Sequence, residues 1–294
     1  MTVSHKHHFL PQFFIKGFTD DKSLFWVYDK KYDKIISKPQ SPAMRFYEKD
    51  ANTISIGDDS DIVEKLYQRV EDNVKASIMR ARSVTNVEEI ENAHDLAHLI
   101  VFIVLTYWRI PGNVKVKNFL RNFYRVSKAE WQTLHDILNT THITEKDKNT
   151  LLNFVIPFEI FRDRDVNKTK GKQTLFKVVD FVEPVFVISD NPIVLNNPPK
   201  FINDFQKSLI FPLNKSRVLV LLGEGHYTYD NELIILTNFL LFEQSHRYVG
   251  FCQKDTLEKF VSGYKLFKEG VRDVSILKQH LFDRVNKRIE KISV

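Results

Sequence analysis

The spacing of apolar residues changes along this chain, and each change marks an element. Leu24 to Tyr28 (LFWVY) is aromatic and β-branched, Asp29 to Asp33 is polar, and apolar residues return at Ile35 and Ile36. That pattern predicts a β-hairpin, closed by Pro39 and Pro42 because proline cannot donate to a sheet ladder. Residues 44–59 predict a loop with one short strand. From Asp61 to Arg82 the period lengthens: Ile62, Leu66, Val70, Val74 and Ile78 recur every four residues, with Val63, Tyr67 and Ala81 widening the stripe. This is one face of an α-helix, which Ser60 or Asp61 can cap. A second helix is expected over Val87–Arg109. Glu88, Glu89 and Glu91 suit its N-terminal dipole, and its second half is apolar nearly all round, as a central buried helix requires. Pro111 and Gly112 end it. Further helices are predicted at 113–125, 128–139 and 145–163.

Past residue 170 short strands return, at 185–190 (VFVISD), 208–213 (SLIFPL) and 217–223 (RVLVLLG). The last is apolar on both faces, which fits a central strand. A helix over Asn231–Ser245, a strand within 247–252, a helix over 254–270 and a basic helical tail complete the chain. Strands flank a helical middle without βαβ alternation. The expected class is α+β, with the helical region packed on a small mixed or antiparallel sheet built from the N-terminal hairpin and the C-terminal strands. With no repeat and no clear linker, residues 1–294 are expected to form a single globular domain, with 164–173 as an exposed loop.

Composition narrows the chemistry. There are 24 Phe and only 9 Gly, so the core should be dense and aromatic. The net charge of +6 permits a polyanionic partner, and equally serves solubility. A single cysteine, Cys252, excludes an internal disulfide and a Cys-based zinc site and points to the reducing cytoplasm. The longest apolar run, Leu96–Trp108, falls short of the roughly 20 residues a bilayer needs, so no membrane partner is expected. Glycine-rich phosphate loops, nucleophile elbows and zinc-finger spacings are all missing.

The polar candidates are scattered. The opening HKHHFLPQFFIKGF (5–18) places His5, His7 and His8 close together, and histidine is both a neutral-pH acid–base and a metal ligand. In an extended segment His5 and His7 share one side and His8 takes the other. The structural alternative leaves His5 and His7 exposed and packs His8. Glu64 and Glu71, seven residues apart, border one helix face and could hold a cation or simply pair with Lys65, Arg69 or Lys75. His94 and His98, one turn apart, could share a metal or be structural. Arg109, on a buried helix, needs either a protein carboxylate or a substrate phosphate. ISDNPIVL (188–195) sets Asp190 and Asn191 at a strand end, as a turn or as a site.

The order HHFLPQFFIKGF, LFWVYDKKYDKI, RFYEKD, YWRIP, SDNPIVL, IFPLN and LTNFLLFEQSHRYVGF, from about residue 5 to 250, resembles the family labelled domain of unknown function 4238. His8, Pro11 and Gln12 match its opening segment, although Phe14 stands where tyrosine is usual and Ile15 where leucine is. Arg109 with Pro111, and Asp190 with Asn191 and Pro192, match two further motifs. The family label names no reaction, so the resemblance implies a site. Catalytic candidates are then His8, Gln12, Arg109, Asp190 and Asn191, and metal candidates are His7, His8, Glu64, Glu71 and Asp190. Such a pocket suits a metal-dependent nuclease or phosphodiesterase using Mg, Mn or Zn, with nucleic acid or a nucleotide as partner. A toxin or phage-defence effector would fit. The alternatives are a small-nucleotide hydrolase, or a non-enzymatic binding module with a buried polar network.

Overall fold

A computed structural model describes residues 6–54, 61–83, 93–113, 144–162, 175–196, 208–222, 230–270 and 273–286. The opening segment forms strand β1 (Lys6–His8), followed after Pro11 by a short helix α1 (Gln12–Ile15). The hairpin β2 (Trp26–Asp29) and β3 (Lys34–Ile35) follows as the pattern requires, and Asp33 takes the left-handed φ of 48° that its turn needs. The foreseen short strand of the next loop is β4 (Tyr47–Lys49), which pairs with β1 so that His8 lies opposite Tyr47.

Helix α2 (Ile62–Ser83) buries Val63, Tyr67, Val74, Ile78 and Ala81. Its face is rotated slightly from the predicted one, leaving Ile62 exposed. Helix α3 (Ala93–Arg109) is buried on almost every side from Leu99 to Trp108, as its composition demands, and packs on α2 and on α4 (Glu145–Arg162). Arg82, near the end of α2, donates to the carbonyls of Phe13, Phe14 and Leu213 and so ties α1 to the helical layer.

The remaining strands are β5 (Leu175–Asp180), β6 (Ile188–Ser189), β7 (Val194–Leu195), β8 (Leu209–Asn214), β9 (Arg217–Leu222) and β10 (Tyr248–Phe251). The hairpin is completed from the far end of the chain in the order β3-β2-β10-β6, all antiparallel. Gly250 permits this pairing, since a Cβ there would stand 2.6 Å from the Phe25 ring. A separate sheet has the order β5-β9-β8-β7, so β9 is interior to it and apolar on both faces. The class is α+β as expected, but three small antiparallel sheets take the place of one. Strand β5 was not foreseen, and the predicted strand 185–190 contracts to two residues because Asp190 and Asn191 turn the chain.

Helix α5 (Asn231–Gln244), capped by the Asp230 side chain at the Leu233 N–H, α6 (Lys254–Gly270) and α7 (Val274–Asn286) close the molecule. One apolar cluster runs from Leu10 to Val285 and joins helices to both larger sheets. The predicted helices at 113–125 and 128–139, the start of the second helix and the loop at 164–173 lie outside the described residues. Among those described, no helix is long and apolar enough to cross a membrane.

Candidate functional site

Alternation along β1 sets His7 and His8 on opposite sides, as an extended segment requires, but reverses the structural alternative that leaves His7 exposed and packs His8. His7 is the buried one, and its Nδ1 accepts the Asn52 N–H at 2.7 Å. His8 is half-buried, its ring 5.6 Å from that of Tyr47. Burial holds His8 below the usual histidine range, against the upward pulls of the Pro42 carbonyl and Glu64. His5 lies outside the described residues, as does the side chain of His94.

Arg109 ends α3 with its side chain buried. It pairs with Glu71, donates to the His8 carbonyl, and packs over the Tyr67 ring at 4.3 Å. Its partner is therefore a protein carboxylate. Burial acts to lower the Arg109 pKa, but Glu71, Tyr67 and Glu64 outweigh it, so the guanidinium stays charged. Glu64 accepts from Asn52 Nδ2 at 2.6 Å. These contacts clamp the opening strand onto α2 and α3.

Asp190 serves a second clamp. Its carboxylate accepts the backbone N–H groups of His246, Arg247 and Tyr248 at 2.8, 2.6 and 2.8 Å, fixing the turn into β10. Asn191 is nearly buried, and its carbonyl accepts from Gln244 and Ser189. Gln12 is exposed at the start of α1, with no part in either clamp. The expected metal set of His7, His8, Glu64, Glu71 and Asp190 does not come together. Among the described residues no three His, Cys, Asp or Glu side chains could hold one ion. The side chains are instead divided between two clamps: Glu71 holds Arg109, Glu64 and His7 hold Asn52, and Asp190 holds the turn into β10.

What the clamps build is two neighbouring cavities that share Phe9 and Glu48 in their walls. The smaller, about 80 Å³, is lined by His7, His8, Tyr67, Trp108 and Arg109 among others. The larger, about 380 Å³, has Arg45, Tyr47, Asp190, His246, Arg247 and Tyr248 in its wall. Both guanidinium groups contact the Tyr248 ring, Arg247 at 4.7 Å and Arg45 at 5.5 Å from its centroid. Arg247 is also paired with buried Asp29 at 3.0 Å. Arg45 donates to the Met44 carbonyl through one terminal nitrogen, while its buried Nε has no partner among the described residues.

Two backbone features support this wall. Phe46 sits at φ 61°, a strained value for a bulky residue and one that recurs at ligand sites. Its ring is buried against Phe25 and its carbonyl accepts from Phe9 and Leu10, which holds Arg45 and Tyr47 on either side. Gly112 makes room for the His246 ring, where a Cβ would stand 1.4 Å from Nε2. Sequence reasoning missed Arg45, His246, Arg247 and Tyr248. The available signal was the pairing of basic and aromatic residues in RFY (45–47) and HRY (246–248), each at the edge of a short strand.

A family model described as "Protein of unknown function (DUF4238)" matches residues 6–255. No curated protein matches the chain, and no solved structure does.

Proposed function

We propose that this chain, which belongs to the DUF4238 family, binds a nucleotide unit of a single-stranded nucleic acid in the larger cavity and hydrolyses a phosphodiester bond. The observation that carries the reading is the Arg45–Tyr248–Arg247 cluster on the wall of a cavity of about 380 Å³. Ligand cavities span roughly 300–1,000 Å³, so one nucleotide is the unit that fits. Guanidinium groups suit phosphate oxygens, and an aromatic ring stacks on any base for about 1–3 kcal/mol. The net charge of +6 favours a polyanion over a free nucleotide. The residues that hold the strands together are spent on internal contacts, so the working groups are Arg45, Tyr47, His246 and Tyr248, together with Arg247, which also pairs with Asp29. No step here depends on a bound metal.

The test uses labelled single-stranded RNA and DNA at low salt, reading anisotropy for binding and gel mobility for cleavage. Arg45→Ala should weaken binding about tenfold, equivalent to about 1.4 kcal/mol, with at most a small change in melting, because among the described residues its side chain hydrogen-bonds only to the neighbouring Met44 carbonyl and otherwise lies over the Tyr248 ring. A wild-type protein that neither binds nor cuts either strand would sink the reading. Binding without turnover would favour a non-enzymatic module, a second reading supported by the number of polar residues committed to the two clamps.

A further inference from the structure

The basic and aromatic wall of the larger cavity continues past its rim. Arg247, whose side chain is 41% exposed, lies 4.7 Å from the centroid of the cavity-lining Tyr248 ring and 5.7 Å from that of Tyr32. Tyr32 stands in the turn between β2 and β3 and is 57% exposed. The ammonium groups of Lys31 and Lys34, both exposed residues, lie 5.5 and 5.6 Å from its ring centroid. A continuous line of guanidinium and aromatic groups therefore runs from Arg45 through Tyr248 and Arg247 to Tyr32 and its two lysines. The turn that carries the outer end is braced from within. Asp29 Oδ1 accepts the Lys31 N–H at 3.1 Å, the Asp29 carbonyl accepts the Tyr32 N–H at 3.2 Å, and Lys30 Nζ donates to the Phe242 and Ser245 carbonyls at 2.6 and 2.7 Å. The carboxylates beside it are paired, Asp29 with Arg247 and Asp33 with Lys265. What the turn presents outward is one ring and two cations, held in place before any ligand arrives, which lowers the ordering cost of binding.

We propose that this turn is a second nucleotide subsite: the base adjacent to the one in the cavity stacks on Tyr32, and Lys31 and Lys34 take the phosphates that lead away from the cavity. The assignment rests on the nucleotide reading above and deepens it, because only a strand reaches both places, whereas a free nucleotide fills the cavity alone. Alternating rings and cations along a surface suit a single strand, whose unpaired bases offer a face to stack and whose backbone is anionic. The lysine ammonium groups sit on flexible stems, so each can exchange the ring for a phosphate oxygen. An acidic peptide would use the lysines but has no need of the ring, which makes Tyr32 the discriminating residue.

The experiment titrates wild type, Tyr32→Ala, Tyr32→Phe and the double variant Lys31→Ala with Lys34→Ala by calorimetry, using a mononucleotide and a single-stranded oligonucleotide of about eight nucleotides at several salt concentrations. Mononucleotide affinity should be the same in all four proteins. For the oligonucleotide, Tyr32→Ala should lose about tenfold, the scale of one stacked base, and Tyr32→Phe, which keeps the ring, should bind like wild type. The lysine variant should make the slope of log affinity against log salt shallower by about 1.4, at about 0.7 for each phosphate contact on a single strand. Equal wild-type affinity for the two ligands, or wild-type oligonucleotide affinity in both Tyr32→Ala and the lysine variant, overturns the subsite and leaves the cavity reading standing. A loss in the lysine variant with none in Tyr32→Ala also overturns it, since the turn is then a general polyanion contact without a stacked base. Should Tyr32→Ala fail to fold, the salt slope of the lysine variant decides. A wild type that binds neither ligand removes both readings.

Discussion

Arg109 carries a charge where water scarcely reaches, with its side chain 6% exposed. An isolated buried ion is expensive, and removing one partner of a buried pair costs about 3–5 kcal/mol. Glu71→Gln should therefore destabilise by about that amount, whereas Glu71→Gln with Arg109→Met should cost less than the sum of the two single changes. Denaturant titration of the double-mutant cycle measures the coupling, and simple additivity would mean the pair is not a unit. His8 gives a pH signature at the same scale. Because burial lowers its folded pKa below 6.5, the unfolded chain takes up that proton first. The associated stability is complete above pH 6.5 and declines as the pH falls below it. Between pH 7 and 5 the melting temperature of wild type should drop further than that of His8→Gln. Equal drops would show that the ring is solvated in the folded protein.

At the scale of elements, the molecule is closed by partners distant in sequence. Strand β10 meets β2 across more than two hundred residues, and Asp190 fixes the turn that delivers it. A carboxylate accepts three N–H groups there, and an amide can replace only one of its two oxygens. Asp190→Asn should cost about 2–4 kcal/mol, since hydrogen bonds to charged groups contribute about 1.5–3 each. Thermal melting checks this, and an unchanged midpoint would mean the three N–H groups find other acceptors. The residue is thus an anchor for the cavity wall, and any loss of activity on its replacement must be read against stability. The neighbouring Phe46 shows the same division of labour: a strained backbone, held by buried rings, sets Arg45 and Tyr47 on the cavity wall.

The whole molecule extends past the family match. Helix α7 lies beyond residue 255, yet it contributes Leu277, Leu281, Phe282 and Val285 to the common core. Its ion pairs, Arg284 with Asp230 and Glu232, are part-exposed and worth little. The apolar side chains decide the matter. At about 1.5–3 kcal/mol each they sum to at most about 6–12 kcal/mol, comparable to the entire stability of a typical domain. Deleting residues 273–294 should give a chain that binds a hydrophobic dye and lacks a cooperative melt. A truncated protein that melts like the full chain would place the fold's stability wholly within the family-matched part.

By itself the sequence determined the elements whose signal is periodic and local. The stripe of α2, the all-round apolar α3, the hairpin of β2 and β3, and the central position of β9 follow from spacing and composition, because each needs only its own residues to declare a buried face. It also showed that Arg109 must find an opposite charge, since burial of the helix implied it. Tertiary structure alone decided which groups meet. The division into three sheets, the inward turn of His7 in place of His8, and the commitment of Glu64, Glu71 and Asp190 to N–H partners all depend on contacts between distant segments. The cavity-lining Arg45, His246, Arg247 and Tyr248 sit in ordinary basic–aromatic pairs, and nothing local distinguishes such a pair at a solvent-facing strand edge from one lining a cavity. Only the antiparallel closure by β4 and β10 brings them together.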